Sequence, residues 1–149
     1  MRIDFPIRSF ALASTMLAAG LNAYAQQASQ EQKTGIASFY HNKFEGRKTA
    51  TGEVFDNGKY TAASNHFKLG TYVKVTNQTN GEVVYVKVND RMGHPSRMID
   101  LAKVAAHELR FIGRGTANVK IEPVSTEEGK RQILAQRTKD SVSNAQGRL

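Results

Sequence analysis

Two runs of alternating apolar residues constrain this chain most. Residues 72–76 (YVKVT) place Val73 and Val75 on one face, and residues 84–88 (VYVKV) place Val84, Val86 and Val88 on one face. A repeat of two is the period of a half-buried strand. The link at 77–81 ends in Asn80-Gly81, a pair suited to tight hairpin turns, so the two runs predict an antiparallel hairpin. Shorter strand candidates stand at 36–40, 53–55, 61–63, 98–99 and 119–121. Only one segment carries helical spacing: Leu101, Ala105, Leu109 and Ile112, with Gly113 placed to stop it. So many short strands with a single short helix, all within residues 35–124, predict an all-β fold. A small closed barrel is expected, since closure removes the edges that short strands would otherwise leave unpaired.

The N-terminus carries the pattern of a secretory signal. Arg2 and Arg8 precede an apolar run at 10–21, and Ala23-Tyr24-Ala25 offers small residues where a signal peptidase reads, so cleavage is expected after Ala25. That run is shorter than the roughly 20 apolar residues of a spanning helix, and no transmembrane segment is expected elsewhere. The mature chain would begin at Gln26, in the periplasm of a cell with two membranes. The chain has no cysteine, which excludes disulfides, thiolate nucleophiles, cysteine-bound metals and a lipid-modified N-terminal cysteine. The exported protein is therefore expected to be soluble rather than lipid-anchored, and one domain is expected: the roughly 120 mature residues can bury one ordinary core. Residues 26–34 read as a flexible leader and 35–124 as the folded unit. Residues 125–149 hold only Ile133, Leu134, Val142 and Leu149 as sizeable apolar side chains. This polar tail is expected to be mostly disordered, with at most a short helix around 130–137. A monomer without a second domain is the simplest organisation.

The formal net charge is +8. Removing residues 1–25 takes away Arg2, Arg8 and Asp4, so the exported chain stays basic. Outside the cytoplasm the polyanion available is cell wall or membrane surface, and the basic residues are scattered rather than clustered, which argues against nucleic acid as partner. His41, His66, His94 and His107 form neither a His-x-x-x-His nor a His-Glu-x-x-His pattern, so no metal and no cofactor are expected.

Two aspartates stand out. Asp90, in VNDRMG, ends the apolar run 84–88, where a carboxyl group can project from a rigid element into a groove; Asn-Asp is equally a common start of a turn. Asp100, in RMIDLA, precedes the helical pattern and suits an N-terminal cap. Tyr40 and Phe44 could offer ring faces to a sugar, although aromatics in small barrels commonly belong to the core.

Taken in order, GIASFYHNKFEGRKTATGEVFD, TAASNHFKLGTYVKVTN, NGEVVYVKVNDR, RMIDLAKVAAHEL and ANVKIEPV resemble the successive blocks of the rare lipoprotein A family. The resemblance covers essentially the whole folded unit. It implies a six-stranded double-psi β-barrel, peptidoglycan glycan strands as ligand and, as in many members, lytic transglycosylase activity in wall remodelling or daughter-cell separation. Such an enzyme cleaves the bond between N-acetylmuramic acid and N-acetylglucosamine without water, because the muramic C6 hydroxyl attacks its own anomeric carbon. One carboxyl group can serve both proton transfers, and should have its pKa raised by burial or a neighbouring carboxylate. Asp90 matches the family's NDR aspartate and is the expected acid. Glu53, from the TA-x-GE block, is the second catalytic candidate, able to orient sugar hydroxyls or perturb Asp90. Tyr40, Thr49, Ser64, His66, Arg91 and Asp100 are the expected substrate-binding residues. The chain departs from the family at Ser64, where histidine is frequent. His66, two residues on, would share its face if the segment were a strand. The family's Gly-Pro after NDR is replaced by Met92-Gly93-His94-Pro95. The alternative reading is a non-catalytic, expansin-like wall-binding module that grips glycan in the same groove.

Overall fold

The predicted hairpin forms as expected. In a computed structural model, which describes residues 31–147, β3 (Tyr72–Asn77) and β4 (Val83–Asp90) pair antiparallel, with Val73 opposite Val86 and Val75 opposite Val84. All the alternating valines of the two runs are fully buried. Gly81 takes a φ of 76°, the left-handed conformation that the Asn-Gly turn requires. The other strands are β1 (Lys33–Phe39), β2 (Thr61–Ala63), β5 (Ile99–Leu101) and β6 (Ala117–Val124). They close a six-stranded barrel in the order β1-β5-β2-β4-β3-β6, with β1–β5 and β2–β4 parallel and the other neighbours antiparallel. Its interior is filled by the valines with Ile99, Leu101, Val119 and Ile121, and is closed at one end by Leu109 and Phe111.

Several expectations are corrected. Residues 53–55 form no strand; only a single bridge joins Lys48 to Val54, because this segment is a tight turn over the barrel end. The helix is shorter than its periodicity suggested. Leu101 belongs to β5, and α1 spans Lys103–Glu108. Asp100 does not cap it. Asn57 does so from a distant loop, its side-chain oxygen accepting the Lys103 amide at 3.0 Å and its carbonyl the Val104 amide at 3.0 Å. The helix stops before Gly113, since Arg110 turns to a φ of 55°. The hairpin closes that end: Asn77 and Asn80 both donate to the Leu109 carbonyl.

The tail is the largest correction. Residues 126–146 form one helix, α2 (Thr126–Gln146), of 21 residues. Ser125 caps it, its hydroxyl accepting the Glu128 amide at 3.2 Å, with Glu127 and Glu128 in the first turn. This Ser-x-x-Glu pattern is legible in the sequence but is outweighed there by low hydrophobicity. The helix docks by shape and polar fit rather than a wide apolar face. Gly129 lies directly against the Tyr72 side chain. The Gln136 amide donates to the Tyr85 carbonyl at 2.9 Å and accepts the Tyr85 amide at 2.7 Å, as a neighbouring strand would. Tyr60 donates to Asp140 at 2.6 Å. The expected leader also proves shorter, with Lys33 and Thr34 already in β1. The expected signal segment 1–25 lies outside the described residues. Among the described residues no helix is long and apolar enough to cross a membrane.

Candidate functional site

The barrel topology brings the two aspartates to either side of one residue. Ala63, the last residue of β2, pairs with Asp90 on β4 and with Asp100 on β5. With strands about 4.8 Å apart, the two aspartate backbones stand roughly 10 Å from each other. Both are only partly buried.

Asp90 is fixed by three donors. The Tyr40 hydroxyl donates to Oδ2 at 2.8 Å, while the backbone amides of Ala50 and Arg91 donate to Oδ1 at 2.9 and 2.8 Å. The turn at 49–53, within the TA-x-GE block, aims the Ala50 amide at Asp90. Thr49 is buried, its amide bonded to the Glu53 carbonyl at 2.8 Å. Thr51 reaches the Asn89 carbonyl at 3.2 Å, and Gly52 takes a φ of 84°. Tyr40 itself follows β1 and stacks on Phe55 at 4.1 Å between centroids. Burial, then its bond to Asp90, then the charges of Asp90 and Asp100, push the Tyr40 phenol far above its ordinary pKa of 10.0. At any working pH it is a donor.

Glu53 stands beside this cluster and faces a different partner. Lys87 donates to Oε1 at 2.7 Å and Asn89 to Oε2 at 3.0 Å. The Lys87 bond, followed by the Asn89 bond, holds the Glu53 carboxyl below its ordinary value of 4.5. Asp100 is clamped by Arg97, Nε to Oδ1 at 2.9 Å and Nη2 to Oδ2 at 3.1 Å, and accepts the Ser38 hydroxyl.

The remaining expected binding residues divide. Thr49 and Tyr40 belong to the Asp90 cluster. Ser64 is fully buried, its hydroxyl donating to the Met98 carbonyl at 2.8 Å, and so it meets no solvent. Arg91 turns its guanidinium back onto the carbonyls of Ser64 and Phe67, bracing the 64–67 bend. His66 is exposed on that bend; β2 has ended at Ala63, so the same-face argument drawn from strand periodicity does not hold. Phe44 meets Tyr40 edge-on at 5.7 Å and has Lys43 and Arg47 over its ring. Sequence reasoning missed Asn89, Lys87, Ser38 and Arg97 as supports, and the Ala50 amide. Asn89 and Lys87 were accessible from strand phase beside Asp90; a backbone amide aimed by a distant turn leaves no signature. Among the described residues no group of three or more histidine, aspartate or glutamate side chains could hold a metal ion.

A closed six-stranded barrel with two parallel pairs and an aspartate gripped at the end of β4 defines a narrow class, and comparison with known proteins identifies it. The family model described as lytic transglycolase matches residues 32–121, and the chain belongs to that family, whose fold is the double-psi β-barrel. Among curated relatives, it is 46% identical over 99 residues to the endolytic peptidoglycan transglycosylase RlpA of Neisseria meningitidis serogroup A, covering 66% of this chain and 41% of the relative. It is likewise 46% identical over 99 residues to the protein of that name in Pasteurella multocida, covering 66% of this chain and 34% of the relative. The Vibrio cholerae counterpart is 43% identical over 96 residues, covering 64% and 36%. The chain thus spans well under half the length of these relatives. Among solved structures, the Streptomyces papain inhibitor superposes with a TM-score of 0.53 at 23% identity, covering 64% of this chain and 96% of that one. Cerato-platanin 3 from M. perniciosa does so with a TM-score of 0.52 at 14% identity, covering 66% and 99%. At such identities these two likenesses concern the fold alone.

Proposed function

We propose that this protein is an exported lytic transglycosylase of the cell envelope, acting in the periplasm on peptidoglycan glycan strands with Asp90 as the single acid and base. The observation that carries this reading is the triple grip on Asp90 at the mouth of the barrel, within a chain whose curated relatives are named for the activity. The pattern at residues 1–25 supports export. In the first step the protonated Asp90 carboxyl gives its proton to the glycosidic oxygen as the bond to the muramic C1 breaks. In the second the carboxylate takes the proton of the muramic C6 hydroxyl, whose oxygen closes on C1. The products are a free N-acetylglucosamine hydroxyl and a 1,6-anhydro-muramic end, and no water is consumed. Tyr40, kept protonated, and the Ala50 amide hold the carboxyl in place for both transfers. Glu53 acts through Asn89, orienting the segment that carries Asp90.

The test is incubation of the protein with purified peptidoglycan, intact and stripped of stem peptides, followed by mass spectrometry of the soluble products. Ends in 1,6-anhydro-muramic acid that disappear with Asp90→Asn support the assignment. A wild-type protein that sediments with the wall and releases nothing sinks it and leaves the glycan-binding module.

A further inference from the structure

Lys130, Ile133, Leu134 and Arg137 recur on α2 at the spacing of a single helical face, and that face forms one wall of a cavity of about 350 Å³ against β2, β3 and β4. The opposite wall carries Lys59, Tyr60, Thr61, Tyr72 and Lys87. Lys87 is already paired with Glu53. Lys59, Lys130 and Arg137 are exposed, and none of them takes part in an ion pair among the described residues. Among the described residues no carboxylate lines the cavity. Asp140, one turn beyond Arg137, is held by the Tyr60 hydroxyl and stays outside the lining. The cavity therefore combines three free cations with an apolar, partly aromatic floor, including Leu134, which is 64% exposed.

Its position ties it to the site. Thr61 is the register partner of Lys87, as Ala63 is of Asp90, so the cavity lies on the same two strands as the candidate acid. Lys87 and Asp90 are three residues apart on β4, about 10 Å along the strand. Lys87 bridges the two places, lining the cavity while bonding Glu53.

We propose that this cavity is an outer subsite that takes a carboxylate of the wall strand while Asp90 addresses the glycosidic bond. This rests on the reading of the strand as substrate. The apolar floor packs against the sugar or its lactyl group, and Lys59, Lys130 and Arg137 neutralise the carboxylate. The α2 wall lies beyond residues 32–121, the segment that the family model matches, while the opposite wall lies within it. The carboxylate has two possible sources: the lactyl group of a muramic residue freed of its peptide, or the stem peptide itself.

The experiment compares full-length wild type with K130Q/R137Q and, separately, Lys59→Gln, for binding to intact strands, stripped strands and a carboxylate-free chito-oligosaccharide at two salt concentrations. We expect both variants to bind carboxylate-bearing strands about tenfold or more weakly with a shallower salt dependence, and the neutral oligosaccharide unchanged. Loss confined to stripped strands assigns the lactyl carboxylate, and loss confined to intact strands the stem peptide. Equal affinity of both variants and wild type for every ligand overturns the subsite, as does an equal loss on the neutral oligosaccharide. Lys59→Gln leaves α2 untouched and so keeps the test valid if the helical pair perturbs docking. Anhydro-product formation, scored in parallel, reports on Asp90 independently, so failure of the subsite is distinct from failure of the enzymatic reading.

Discussion

Tyr40 and Asp90, fifty positions apart in the chain, meet through a 2.8 Å hydrogen bond from the phenol to Oδ2. The bond closes the gap between the end of β1 and the end of β4, which are not neighbours in the barrel. A ring stacked on Phe55 thus holds a carboxylate from across the barrel mouth. Tyr40→Phe keeps the ring and removes only the donor. It should cost about 1 kcal/mol of stability and, with Asp90 as the proposed acid, lower kcat by roughly tenfold with little change in KM, since the lost contact steadies that carboxyl rather than the sugar. Steady-state release of anhydro-muropeptides by the variant checks this.

The same burial makes Tyr40 and Tyr60 silent to base. Both phenols are raised far above 10.0, chiefly by burial and then by their bonds to Asp90 and Asp140. The unfolded chain releases these protons near pH 10 while the folded one keeps them, so the contribution of these two groups to stability is constant below that pH and is lost as pH rises above it. Absorbance near 295 nm should show these two tyrosines ionising only together with alkaline unfolding.

For Glu53 the sign is opposite. Its folded pKa lies below 4.5, so its pairing stabilises the protein above the ordinary glutamate range, and the contribution is lost as pH falls through the folded value. Its side chain is 43% exposed, which limits the pair with Lys87 to about 0–1 kcal/mol. Glu53→Gln should lower the urea midpoint slightly at pH 7, and the gap from wild type should close as pH falls below the ordinary glutamate range and through the folded value.

Gly129 tests how α2 is attached. A Cβ there would stand 2.3 Å from the Tyr72 Cβ, so Gly129→Ala must push the helix off the sheet. A cost of about 1–3 kcal/mol is expected. Hydrogen exchange should report lost protection in α2 and at Tyr85, where Gln136 no longer reaches the backbone, with β1 and β6 still protected.

The sequence by itself determined the barrel wall and the place of Asp90 at the end of one of its strands. Val73, Val75, Val84, Val86 and Val88 announce their buried face because a strand's period is local, and Asp90 stands out because it ends that strand in a recognisable block. Tertiary structure alone decided what surrounds it. The Ala50 amide reaches Asp90 through a turn whose aim no side-chain pattern encodes. Arg91 turns inward because the carbonyls of Ser64 and Phe67 lie within reach, and Ser64 is sealed in by Met98. Residues 126–146 look too polar to fold because composition measures only apolar burial. Their order comes instead from Gly129 fitting Tyr72 and from Gln136 completing the hydrogen bonds of β4, contacts between segments more than fifty residues apart. Local periodicity is written residue by residue, whereas these pairings arise only once the barrel closes and brings distant backbone groups within a hydrogen bond of each other.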